Sequence, residues 1–221
     1  MTTIRSCLFD LDGTLLDTVQ AIHYTSNLVL RELGLAPLDA GFIPRFAGDG
    51  ARKLMERCLA QSAGRPPDAS ICQKALERYL AHFRTTCLHG VVPYPTMPEL
   101  LQALKERGIS MAVVTNKPQP MAETNIHAFF GKELFGAIVG AQDGLPRKPA
   151  PDAALLAART LGSAPSECLY IGDTNTDMQT GINAGMPLCG AVWGFRGREE
   201  LAAFNPAHLA EKPIDILEYL K

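Results

Sequence analysis

The chain has 221 residues, of which 47% are hydrophobic and 20% charged, and this balance excludes an intrinsically disordered chain. Its formal net charge of −2 predicts no broad positive surface, so we expect neither nucleic acid nor an acidic membrane as a partner. No apolar run approaches the roughly 20 residues that a membrane span requires, and the cysteines show neither a CxxC pair nor zinc spacing. These features predict a cytoplasmic protein, a monomer or a homodimer, that binds a small molecule.

The first predicted element is a buried strand from Ile4 to Phe9, and two carboxylates follow it. In extended structure the side chains of Asp10 and Asp12 point the same way, and neighbouring carboxylates repel each other unless a cation lies between them. Magnesium binds oxygen ligands of this kind. The pair therefore predicts a Mg²⁺ site, and the alternative is an acidic turn closed by Asp12 and Gly13.

The next segment, from about Thr18 to Cys87, shows no convincing strand pattern. Its apolar residues recur at helical spacing in three stretches, 22–33, 51–59 and 71–83. We interpret residues 17–87 as an all-helical domain that is inserted into a core formed by residues 1–16 and 88–221.

The remainder of the chain alternates predicted strands with predicted helices, which indicates an α/β fold with a doubly wound, Rossmann-like parallel sheet. We predict that three of the helices end at C-cap glycines, Gly108, Gly162 and Gly185. The predicted strands are 111–115, 137–140, 168–171 and 188–193, and the predicted helices are 97–107, 120–130, 152–161 and 176–184.

Polar residues follow several of these strands. Thr115 and Asn116 end one strand and are suited to donating hydrogen bonds to phosphate oxygens, although such a pair also caps ordinary turns. Lys148 stands between stiff prolines just before a helix, so it could present a fixed cation to phosphate or be a solvated lysine.

The strand in YIGDTNTDM ends at Gly172 and is followed by Asp173 and Asp177. Either aspartate could bind a cation, or could be a helix N-cap or first-turn charge. Because parallel strands end at one edge of a sheet, these polar residues are expected to meet in one crevice.

These motifs, DLDGT, the Thr115 region, Lys148 and GDTNTD, resemble in type and order the four motifs of the haloacid dehalogenase superfamily over the whole chain. In that family the helical insert is a cap domain. The stretches FAGDGARKLMERCL, PYPTMPELLQALKERG, TNKP and KPAPD look most like the phosphoglycolate phosphatases of the superfamily. The chain departs from the family in DTVQAIHY, where Val19 and Gln20 replace a proline and an acidic residue.

The resemblance implies a Mg²⁺-dependent phosphatase that acts on a small phosphorylated metabolite, 2-phosphoglycolate being the favoured substrate. Asp10 would attack phosphorus to form a phosphoaspartate. Asp12 would protonate the leaving alcohol and then activate water.

The resemblance also implies a ligand set. Asp10, Asp173 and the backbone carbonyl of Asp12 would bind Mg²⁺, with Asp177 either a supporting ligand or the partner that orients Lys148. The phosphoryl oxygens would be held by Thr115, Asn116 and Lys148.

Substrate recognition is assigned to basic residues in the inserted domain. Arg45, Arg52 or Lys53 could bind a substrate carboxylate, and the alternative is a solvated helix face. Two other functions remain open from the sequence: a phosphosugar mutase of the same superfamily, and a non-catalytic phosphate-binding protein on the same fold.

Overall fold

The computed structural model describes residues 3–220, so residues 1, 2 and 221 of the predicted core lie outside the described residues. The chain divides into two compact units, one containing the described residues up to Asp17 and from Val92 onward, the other Thr18–Val91. The predicted boundaries, after residue 16 and after residue 87, lie one and four residues from these points. That each unit is a domain in its own right stays a prediction.

The strands of the core unit are β1 (Ser6–Phe9), β2 (Leu16–Asp17), β3 (Val92–Pro93), β4 (Ser110–Pro118), β5 (Ala137–Ala141), β6 (Cys168–Gly172), β7 (Leu188–Ala191) and β8 (His208–Ala210). Six of them form a parallel sheet in the order β5-β4-β1-β6-β7-β8. The two short strands β2 and β3 form a separate antiparallel pair.

The predicted α/β fold class is confirmed, since the strands alternate with helices along the core. β4 continues three residues beyond its predicted end at Thr115, and its pairing with β5 shifts between Val114 and Pro118. The edge strand β8 was not predicted, because three residues are too few to show an alternating pattern.

Four helices, α1 to α4, form the other unit: α1 (Val19–Glu32), α2 (Ile43–Phe46), α3 (Ala51–Ala63) and α4 (Ala69–Thr86). Three of them match the predicted stretches: α3 and α4 extend beyond theirs, whereas α1 begins three residues before its stretch and ends one residue before the predicted end. The four-residue α2 was not predicted, because it is shorter than the window in which helical spacing is visible.

The core helices are α5 (Met97–Glu106), α6 (Gln119–Phe130), α7 (Asp152–Thr160), α8 (Asn175–Ala184), α9 (Arg198–Ala202) and α10 (Ile216–Tyr219). Four alanines of α7 are buried against the sheet together with Leu8, Val114 and Tyr170, and their small side chains let the helix approach the strands closely. The glycine predicted to end α8, Gly185, has the positive φ of 68° that favours this residue. All six cysteines lie within the described residues, where they are buried and form no disulfide.

Candidate active site

The predicted functional residues lie at the carboxyl ends of three adjacent strands, β4, β1 and β6. Asp10 follows β1 directly, Thr115 lies in the last part of β4, and Asp173 follows β6. All three side chains are buried, at 4%, 4% and 0% exposure. Because the strands are parallel neighbours, the fold brings together residues that are more than 150 positions apart in the chain.

Three carboxylates surround one lysine in this crevice. Asp10, Asp173 and Asp177 each place an oxygen within 4.8 Å of the others. Lys148 Nζ lies 2.9 Å from Asp10 Oδ1 and 2.7 Å from Asp177 Oδ1, and it donates to the Val114 carbonyl at 3.1 Å. When the carboxylates are ionised, the group carries two more negative than positive charges, so its chemistry fits a divalent cation.

The pKa values reflect this surplus of negative charge. Burial, followed by the charge of Asp177, raises the pKa of Asp10 from 3.8 to about 7, although Lys148 opposes the rise. Burial, followed by the charges of Asp177 and Asp10, also raises the pKa of Asp173 well above its usual range. Burial alone would lower the pKa of Lys148, but Asp10 and Asp177 together raise it well above its ordinary value.

Both oxygens of Asp173 are held by donors from other segments. Thr14 Oγ1 donates to Oδ1 at 2.8 Å, and the backbone N–H of Phe195 donates to Oδ2 at 2.7 Å. Two glycines leave room for this carboxylate: a Cβ on Gly13 would lie 2.3 Å from Asp173 Oδ2, and one on Gly194 would lie 2.3 Å from Asp173 Cβ. The contacts of Thr14 and Phe195 with Asp173 were not predicted from the sequence, because nothing local in either segment points to Asp173.

Asp177 is tied to Lys148 and to the start of α8. Its Oδ1 accepts from Lys148, while its Oδ2 accepts from the backbone N–H and the hydroxyl of Thr174, at 3.1 and 2.6 Å. Thr174 is the N-cap of α8. Of the two roles predicted for Asp177, these contacts favour the partner that orients Lys148.

The Asn116 amide is turned toward the Lys148 backbone. Its Nδ2 donates to the Lys148 carbonyl at 3.2 Å, and its Oδ1 accepts from the Lys148 N–H at 3.0 Å. Asn116 thus fixes the segment that carries the lysine. Its predicted contact with phosphate is untested and stays a prediction.

Asp12 has a partner that the sequence analysis did not assign. Lys117 Nζ donates to Asp12 Oδ1 at 2.7 Å, and the side chains are 1% and 17% exposed respectively. Lys117 is two residues beyond Thr115 in β4, so alternation along a strand could have indicated that the two side chains share a side.

The basic residues predicted for substrate recognition lie in the helical unit, and all three are exposed. Arg52 donates to Gln73 Oε1 at 2.7 Å, and Lys53 pairs with Glu56 at 2.9 Å. These contacts are of the kind made by a solvated helix face, and the binding role of Arg45, Arg52 and Lys53 stays a prediction.

Comparison with known proteins places this geometry in a family. The family model of the haloacid dehalogenase-like hydrolases matches residues 7–191. The chain belongs to the haloacid dehalogenase-like hydrolases. It is 40% identical over 190 residues to a phosphoglycolate phosphatase of Rhodobacter capsulatus, covering 86% of this chain and 84% of that protein. A phosphoglycolate phosphatase of Aquifex aeolicus is 31% identical over 221 residues, with 98% and 97% covered.

A solved structure gives the same result for the fold. A haloacid dehalogenase-like hydrolase of Streptococcus pneumoniae superposes with a TM-score of 0.88 at 26% identity and full coverage of both chains. The predicted family membership and the predicted enzyme class, a phosphoric monoester hydrolase, are thus confirmed. In residues 3–220 no helix is both long and apolar enough to cross a bilayer.

Proposed function

We propose that this haloacid dehalogenase-like hydrolase is a Mg²⁺-dependent phosphatase that releases phosphate from 2-phosphoglycolate through a phosphoaspartate on Asp10. The observation that carries the proposal is the position of Asp10: it is buried at the end of β1, beside Lys148 and two further carboxylates. The named substrate is supported by the phosphoglycolate phosphatases to which the chain is similar.

In the first half of the reaction an Asp10 oxygen attacks phosphorus, and the bond from phosphorus to the substrate alcohol breaks. Asp12 gives its proton to the departing oxygen. In the second half Asp12, now ionised, takes a proton from water, which attacks the phosphoaspartate and restores Asp10 while phosphate leaves. Lys148 and the Thr115 hydroxyl would hold the phosphoryl oxygens, where charge is spread in the transition state.

The metal would be held by Asp10, Asp173 and the backbone carbonyl of Asp12. When bound, Mg²⁺ supplies positive charge that offsets the surplus on the carboxylates and on the phosphoryl group. The donors to Asp173 fix its two oxygens, which is the support that a ligand carboxylate needs from the residues around it.

The helical unit is proposed as the cap domain of the enzyme, with Arg45, Arg52 or Lys53 as the cation that binds the substrate carboxylate. Alanine at each position tests this directly. We expect that removal of the basic side chain at one of these positions raises KM for 2-phosphoglycolate. The same variant should leave KM unchanged for a phosphate ester that has no carboxylate. Unchanged KM in all three variants would remove these residues from the proposal.

The proposed function is tested by phosphate release from 2-phosphoglycolate, sugar phosphates, nucleotides and pyrophosphate, with Mg²⁺ and with a chelator. Wild type is compared with Asp10→Asn, and Asp143→Asn serves as the matched control because Asp143 is an exposed loop residue. We expect turnover to require Mg²⁺ and Asp10, to survive in the control, and to favour 2-phosphoglycolate. Metal-independent turnover or full activity in Asp10→Asn would contradict the mechanism, whereas isomerisation of a sugar phosphate would indicate the mutase.

A further inference from the structure

The side chain of Lys117 is buried although its ammonium group is a charged one. It is 1% exposed, and its Nζ lies 2.7 Å from Asp12 Oδ1. Taking an ammonium group out of water is unfavourable unless the group is paired and hydrogen-bonded. The contact with Asp12 therefore accounts for how this lysine can be buried, and it fixes Lys117 to a residue of the proposed catalytic machinery.

The backbone around Lys117 is held as firmly as its side chain. Its N–H donates to Thr115 Oγ1 at 3.2 Å, and a Cβ on Gly140 would lie 2.9 Å from its carbonyl oxygen. Gly140 in turn donates to the Gln119 side chain. The close approach that Gly140 permits places the end of β4 against β5. The backbone of Lys117 is therefore held in a fixed position relative to β5.

The ion pair is asymmetric. Asp12 keeps 17% exposure while Lys117 keeps 1%, so part of the Asp12 carboxylate remains open and the lysine is closed off. The hydrogen bond from the Lys117 ammonium group to Oδ1 holds the Asp12 carboxylate in one orientation, while part of the Asp12 side chain remains exposed.

We propose that Lys117 is a positioning residue that holds the Asp12 carboxylate in place, through Oδ1, for both proton transfers of the phosphatase reaction. The proposal rests on the proposed function, in which Asp12 is the acid and the base. Lys117 itself touches neither the reacting phosphorus nor the nucleophile in this account. It acts through Asp12, in contrast to Lys148, which contacts Asp10 directly.

The test compares two leaving groups, because only one of them needs a proton. The alcohol of 2-phosphoglycolate leaves with a proton from Asp12, whereas p-nitrophenolate leaves without one. We expect Lys117→Met to lower kcat/KM about 10–100-fold for 2-phosphoglycolate, a part of the roughly 10²–10⁴-fold that general acid–base catalysis supplies. We expect kcat/KM for p-nitrophenyl phosphate to change by less than about threefold, while kcat falls with both substrates because Asp12 also activates water.

A double-mutant cycle separates positioning from a purely structural role. If Lys117 acts through Asp12, then Lys117→Met should cost little further activity once Asp12 is already Asn. Lys117→Arg, which keeps a charged donor, should recover part of the lost activity. Lys132→Met is the matched control, since Lys132 is exposed and precedes β5, so that it lies toward the amino ends of the strands and the site lies at their carboxyl ends. Lys117→Gln replaces the methionine variant if that variant does not fold.

Equal losses of kcat/KM on both substrates, or fully additive losses in the cycle, would overturn the role of Lys117 and leave the phosphatase intact. Absence of metal-dependent turnover in wild type, or full activity in Asp10→Asn, would overturn the proposed function and this inference with it. The two failures are distinguishable because the second appears before any change at Lys117 is made.

Discussion

Replacement of the proposed nucleophile by its uncharged analogue, Asp10→Asn, should stabilise the metal-free protein. Burial and the nearby Asp177 raise the pKa of Asp10 from 3.8 to about 7, which means that the native state favours the protonated carboxyl. The stability that Asp10 contributes is thus fully present below pH 3.8 and is lost as the pH rises through about 7. Asparagine cannot ionise, so the variant does not lose this contribution at high pH.

The magnitude follows from the two pKa values. At pH 8 the difference between them corresponds to about 4 kcal/mol of unfolding free energy. Asparagine does not reproduce every contact of a protonated carboxyl group, so we expect a gain of about 2–4 kcal/mol. For a chain of this length such a gain raises Tm by at least about 4 °C. At pH 4.5 the gain should shrink to about 1 kcal/mol or less.

The assay is urea unfolding in chelator at pH 8 and pH 4.5, followed by the fluorescence of Trp193. This residue is the one tryptophan of the sequence, and its Nε1 donates to the Thr14 carbonyl, so its signal reports on the core unit. Asp143→Asn, an exposed replacement of the same kind, should change stability by less than about 0.5 kcal/mol. A less stable Asp10→Asn at pH 8, or a gain independent of pH, would refute the argument that the carboxylates carry surplus charge.

Three further changes probe the residues around the carboxylates. Gly194→Ala would place a Cβ 2.3 Å from Asp173 Cβ, so we expect a loss of about 1–3 kcal/mol in unfolding free energy by the same urea assay; an unchanged midpoint would show that the loop yields freely. Thr14→Val removes a hydroxyl donor from Asp173 and should weaken Mg²⁺ binding about 10–100-fold by calorimetry, with Thr14→Ser close to wild type; equal affinity in both variants would contradict the role of that hydroxyl. Asp177→Asn takes a charged partner from Lys148 and should lower kcat about 10–100-fold in steady-state kinetics, whereas an unchanged kcat would show that Lys148 is oriented without it.

Much of the site could be predicted from the sequence, because its residues follow strands whose parallel order was itself predictable. Asp10, Thr115 and Asp173 each stand at the end of an apolar run, and a doubly wound sheet brings such ends together. The type of each residue and its place at the end of a strand were sufficient to predict that these three side chains lie close together.

The sequence did not reveal contacts that depend on how separate segments meet. The Phe195 N–H reaches Asp173 from a loop beyond β7, and such a backbone donor leaves no trace in residue type. Asn116 is held by two hydrogen bonds to the backbone of Lys148, more than 30 residues away, and the sequence gives no sign of that pairing. Lys117 lies in TNKP and was not linked to Asp12, since the predicted strand ended at Thr115 whereas β4 continues to Pro118.

The proposed phosphoaspartate is tested most directly by trapping it. In Asp12→Asn, water is no longer activated, so the intermediate should accumulate when the protein is mixed with p-nitrophenyl phosphate and Mg²⁺ and then quenched in acid. Mass spectrometry should find one added phosphoryl group on the peptide that contains Asp10, and none when Asp10 is also replaced by Asn. A phosphoryl group on another residue, or turnover without any labelled protein, would contradict the account.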